Sequence, residues 1–103
     1  MKGGNRESMR TMIKVTFPTQ ESNPLIRDGS MGQKMETFMG NLQPEAAYFC
    51  PIDGKRGCYI VVNMEHESEL VTKIEPFWLE LGATVETFPV MNADDLRAGL
   101  QSL

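Results

Sequence analysis

Apolar and polar positions alternate with a period of two from Arg10 to Phe17, with Ile13, Val15 and Phe17 on one side and Met12, Lys14 and Thr16 on the other. This predicts a first strand, stopped by Pro18, which has no amide to give to a ladder. The stretch from Pro44 to Met64 reads as a β-hairpin closed by Asp53-Gly54. That dipeptide favours a type I′ turn, because both central residues take positive φ. A two-residue loop sets Ile52 opposite Lys55, Tyr48 opposite Tyr59 and Phe49 opposite Cys58. The second arm, Cys58 to Asn63, is apolar on both alternating sets, the pattern of a strand covered on both faces. Ala83 to Val90 predicts a fourth strand, with Val85 and Thr87 facing one way and Thr84, Glu86 and Phe88 the other.

Between the strands the period lengthens to that of a helix. Asn23-Pro24 offers an N-cap followed by proline at the first helical position. Met31, Met35, Phe38 and Leu42 then form one stripe. Asp28-Gly29-Ser30-Met31-Gly32 interrupts it, and Ser30 with Gln33 has the spacing of a second capping box. One helix with a weak middle is preferred here over two short ones. Glu67 to Leu81 repeats the pattern with Leu70, Ile74, Trp78 and Leu81, with Ser68 as cap and Gly82 as the residue after the end. Pro76 is expected to kink or split this helix by removing a backbone donor. Phe77 and Trp78 are expected to wedge it against the sheet; lining the mouth of a pocket is the alternative. Asn92-Ala93-Asp94-Asp95 caps a short terminal helix, where acids suit the dipole and Leu96 and Leu100 make one side sticky.

The order βαββαβ plus a C-terminal helix predicts an α+β, ferredoxin-like sandwich, a four-stranded antiparallel sheet with two long helices on one face. Residues 1–9 read as a flexible N-terminal extension and 10–103 as a single domain. Parity assigns Ile13, Val15, Phe17, Ala47, Phe49, Cys58, Ile60, Val62 and Val85 to the face under the helices. The other face carries Met12, Lys14, Thr16, Ala46, Tyr48, Cys50, Tyr59, Val61, Asn63, Thr84, Glu86 and Phe88. It is too apolar for a bare solvated surface and too polar for a dry core. A two-fold homodimer bringing two such sheets together as a barrel accounts for it.

Composition narrows the function classes. A chain of 103 residues is one domain. Its net charge is −4, and no basic run exceeds Lys55-Arg56, which argues against nucleic acid and anionic membranes as partners. No apolar run approaches the ~20 residues that span a bilayer, and the N-terminus lacks the apolar segment of a secretory signal. In the predicted register Cys50 and Cys58 point to different faces, so both are expected as free thiols in a reducing, cytoplasmic setting. Gly29-Ser30-Met31-Gly32 also has the Gly-x-x-Gly form of a KH RNA-binding loop. Only Arg27 and Lys34 lie near it, however, and a fourth strand has no place in that module.

The element order resembles small bacterial proteins of the dimeric α+β-barrel superfamily, specifically an uncharacterised family within it. The likeness lies in Glu45-Ala-Ala-Tyr-Phe, Asp53-Gly-Lys-Arg, Tyr59-Ile-Val-Val-Asn-Met, Glu75-Pro-Phe-Trp-Leu and Phe88-Pro-Val-Met, and spans Arg10 to Leu96. The resemblance implies the fold and the homodimer. Relatives in the superfamily include muconolactone-isomerase-like proteins, cofactor-independent monooxygenases and haem-degrading enzymes, but no shared catalytic motif carries an activity over. Haem-degrading relatives place Asn, Trp and His around their substrate. Here Asn63 is on the third strand rather than the first and His66 precedes Trp78, so that chemistry is not expected.

The candidate chemistry lies on the amphiphilic face. Lys14 and Glu86 are expected on neighbouring strands, where a buried acid beside a lysine is able to move a proton; a structural ion pair is the competing reading. Tyr48 and Tyr59 present hydroxyls for orienting a ligand, or form a cross-strand aromatic pair that stiffens the hairpin. Asn63 adds one amide. His66, the single histidine, lacks spaced Cys or acidic partners, so no metal is expected, and no cofactor. Lys14, Tyr48, Tyr59, Asn63 and Glu86 are therefore the candidate anchors for a small, largely apolar molecule inside the barrel. Two further readings are an isomerase or cofactor-free monooxygenase, with Lys14 and Glu86 catalytic, and an interaction dimer without a ligand.

Overall fold

The computed structural model describes residues 8–103. The expected extension thus lies mostly outside the described residues, and the first strand already begins at Met9. The elements are β1 (Met9–Thr16), α1 (Thr19–Arg27), α2 (Met31–Leu42), β2 (Ala46–Ile52), β3 (Lys55–Met64), α3 (Glu69–Leu81), β4 (Thr84–Pro89) and α4 (Ala93–Gln101). The four strands form one antiparallel sheet in the order β2-β3-β1-β4. In each βαβ half one strand of the other half lies between the pair, which is the ferredoxin-like arrangement.

The hairpin forms in the predicted register. Asp53 and Gly54 both have positive φ, 51° and 76°, and Ile52 pairs with Lys55, Tyr48 with Tyr59 and Phe49 with Cys58. Cys50 pairs with Gly57 rather than Cys58, and the two thiols are unbridged. Gly57 is required by packing. A Cβ there would lie 2.7 Å from both Ile52 Cδ1 and the Val15 carbonyl oxygen.

The helices depart from the sequence reading in four respects. The first helical region is two helices, because Gly29 turns left-handed at φ +80° and Asp28 Oδ1 accepts from the Ser30 amide at 2.9 Å. Its start is earlier than the Asn23-Pro24 signal: extended Pro18 leads straight into Thr19, and Pro24 lies inside α1. Neither Ser30 nor Ser68 makes a side-chain cap; at α3, Glu69 Oε2 instead accepts from the amides of Glu65 and His66. Those two hydrogen bonds pull the Glu69 carboxyl below the usual carboxylate range. Finally, α3 passes through Pro76 without a break. The amide missing at Pro76 would have bonded to the carbonyl of Thr72, four residues earlier. That carbonyl accepts from Asn41 Nδ2 of α2 at 3.0 Å.

The core lies between the sheet and the helices. Ile13, Val15, Cys58, Ile60 and Val62 from the strands, with Phe17 just after β1, meet Phe38, Leu42, Ile74, Phe77 and Leu81. Phe38 and Phe77 are in ring contact, with centroids 4.6 Å apart. Trp78, expected to wedge inward beside Phe77, is 47% exposed. The buried stripe of α3 is Ile74, Phe77 and Leu81, and Trp78, one residue or 100° further round, falls at its margin. Phe49 shares the helix-bearing face with Cys58, yet is 55% exposed. Strand β2 is at the edge of the sheet, where the helices do not close over it.

Candidate functional site

Antiparallel pairing carries a residue on one strand directly across to its partner on the next, on the same face of the sheet. Tyr48 pairs with Tyr59, Tyr59 with Lys14, and Lys14 with Glu86. Four of the five predicted anchors therefore form a single row across β2, β3, β1 and β4. One flanking row is Ala46, Val61, Met12 and Phe88; the other is Cys50, Gly57, Thr16 and Thr84. Asn63, the fifth anchor, pairs with Arg10 a further row away and is exposed.

Within the central row Lys14 Nζ lies 3.5 Å from Glu86 Oε2. Lys14 is half-buried between its two neighbouring strands, and Glu86, on edge strand β4, is exposed. Tyr48 is 69% exposed at the opposite edge. Although it faces Tyr59 in register, the ring contact among the described residues is that of Phe38 and Phe77, so the cross-strand aromatic pair does not form. Tyr59 and Val61 are only half-buried, so β3 is not covered on both faces within one chain.

At one end of this face Arg10 gathers two carboxylates. Its Nε donates to Glu45 Oε1 at 2.9 Å and its Nη1 to Asp95 Oδ2 at 3.0 Å. The hydrogen bond and charge of Glu45, then those of Asp95, raise the guanidinium pKa further. The Asp95 contact ties down the first turn of α4, which is closed by a reciprocal box: Asn92 Oδ1 accepts from the Asp95 amide and Asp95 Oδ2 from the Asn92 amide. Beyond that turn α4 is exposed along its whole length, including Leu96 and Leu100.

His66 and Trp78 do not join the row. His66 lines a small hollow of about 180 Å³ with Met9, Met64, Leu70 and Phe88, and Trp78 lines a groove of about 260 Å³ between α3 and β4. A larger cleft, about 510 Å³, opens on the helix-bearing side of the hairpin. Phe17, Met31, Met35, Phe49 and Arg56 line it, and none of the five predicted anchors does. The sequence reading missed this cleft because strand parity sends Phe49 to the core. The available signal was the position of β2 next to only one other strand, which leaves an inward-facing aromatic short of cover.

Comparison of the chain with protein-family models, with curated proteins and with solved structures finds no match. Among the described residues no helix is long and apolar enough to cross a membrane.

Proposed function

We propose that this protein is a homodimer of the dimeric α+β-barrel kind, which binds a small, largely apolar molecule between the two sheets. One observation carries the reading: among the described residues, the helix residues of the buried core pack on the opposite side from the sheet face bearing Met12, Tyr48, Tyr59, Val61 and Phe88. Tyr48 at 69% and Phe88 at 42% exposure are large rings left in water by a single copy, and such a patch marks an interaction surface. Helix α4 supports the same partner. A helix of nine residues is marginal in water without a surface to pack on, and among the described residues Leu96 and Leu100 stay about half exposed.

In the barrel the row Tyr48, Tyr59, Lys14 and Glu86 supplies the polar anchors, and Asn63 lies toward the rim. The unbridged cysteines support a reducing, cytoplasmic setting. Native mass spectrometry of the protein purified from cells tests this directly. The expected spectrum shows a dimer carrying additional small-molecule mass that is lost on denaturation; a bare monomer contradicts the reading.

The Lys14–Glu86 contact favours a second reading, in which the same cavity is an enzyme site for isomerisation or cofactor-free oxygenation. Glu86 would take the proton and Lys14 would hold the resulting charge distribution. Turnover of the bound molecule that survives unchanged in Glu86→Gln rejects this role.

A further inference from the structure

The cleft on the helix-bearing side of the hairpin has a chemistry of its own. At about 510 Å³ it falls in the size range of small-molecule sites. Its apolar wall joins Phe17, just after β1, and Phe49 of β2 to Met31 and Met35 of α2, and methionine adapts its shape to what it packs against. Its polar lining includes Arg56, which has the parity of the helix-bearing face; Lys55, its neighbour on β3, also lines the cleft but has the opposite parity.

These two cations stand apart from most of the others. Arg10, Lys14, Lys34, Lys73 and Arg97 each meet a carboxylate. Of the described lysines and arginines, that leaves Arg27, Lys55 and Arg56, and the last two line this cleft. In a chain with net charge −4, acidic groups are in surplus. Arg56 is nevertheless held by neutral acceptors alone: its Nη1 donates to Ser22 Oγ at 2.8 Å and to Asn23 Oδ1 at 2.9 Å. Ser22 is fully buried, so this end of the guanidinium is fixed. The two bonds occupy Nη1 and leave the donors on Nε and Nη2, the fork that matches a carboxylate, without an acceptor among the described residues.

We propose that this cleft binds an amphiphilic carboxylate, whose apolar part packs on Phe17, Met31, Met35 and Phe49 and whose anion is held by Arg56. The residues given a role in holding the ligand belong to one chain and lie on the helix-bearing side, so the site does not depend on the dimer.

Isothermal titration with decanoate, against 1-decanol as the neutral counterpart, tests the assignment. The wild type is expected to bind decanoate saturably, one per chain, and more tightly than decanol. Arg56→Gln removes the charge and should weaken decanoate binding by about ten- to a hundredfold. Because Arg56 also braces Ser22, a second variant leaves that contact in place. Met31→Glu puts an acid at the first residue of α2, where the helix dipole favours it, and brings negative charge to the cleft. It should weaken decanoate binding by a larger factor than decanol binding, because both lose the apolar contact of Met31 and only decanoate is repelled by the new charge. Absence of saturable decanoate binding, equal affinity for decanol, or undiminished decanoate binding in Met31→Glu overturns the proposal. Sedimentation of the same samples reports the oligomeric state, so failure of the cleft and failure of the dimer are read separately.

Discussion

Lys14 Nζ lies 3.5 Å from Glu86 Oε2, joining the centre of the sheet to its β4 edge on the face opposite the core. An ion pair with one exposed partner contributes little to folding, because water and salt screen it and two long side chains must be ordered. In the single chain, reached in the Tyr48→Glu background, Glu86→Gln is therefore expected to change unfolding stability by less than about 1 kcal/mol, read from urea denaturation. A loss several times larger would show that the pair is a structural keystone, leaving it no freedom to serve a ligand.

The neighbours Phe77 and Trp78 should behave very differently. Phe77 is fully buried against Phe38, whereas Trp78 is half in water. Phe77→Ala is expected to cost about 3–5 kcal/mol by leaving a cavity. Trp78→Ala should cost well under half as much in the same denaturation experiment. Equal losses would place both rings in the core.

The two thiols give a test that depends on pH. Burial first, and the charge of Cys50 second, push the Cys58 thiol up to about 12 from an ordinary value of 9.0. Above pH 9 the unfolded chain gives up this proton while the folded chain keeps it, so the unfolded state binds fewer protons. Stability falls as pH rises from about 9 towards about 12, by up to about 1.4 kcal/mol per pH unit from this group. Cys58→Ala should flatten that fall. In a thiol-titration assay near neutral pH, partly exposed Cys50 is expected to react in the folded protein and Cys58 only after denaturation. Rapid reaction of both thiols in the folded protein would contradict the buried position of Cys58.

Local chemistry made much of this fold readable. Asp53-Gly54 set the hairpin register, and that register, with alternation on β1 and β4, brought Tyr48, Tyr59, Lys14 and Glu86 into one row. The misreadings arose where a distant partner decides the outcome. Pro76 does not break α3, and the Thr72 carbonyl that it leaves free is met by Asn41, thirty-one residues away. Phe49 has the parity of a core residue but sits on an edge strand, and edge position follows from strand order rather than from alternation. The cleft beside it was hidden for the same reason. Arg56 reads as half of a short basic run until its neutral partners Ser22 and Asn23 are seen.

The open face is the point on which the functional account turns, and sedimentation velocity across micromolar concentrations tests it most directly. The wild type should sediment as a dimer, and Tyr48→Glu, which sets a charge on the β2 edge of the exposed face, should shift it to monomer without loss of helical or strand signal. A wild type that sediments as a monomer throughout that range would contradict the account.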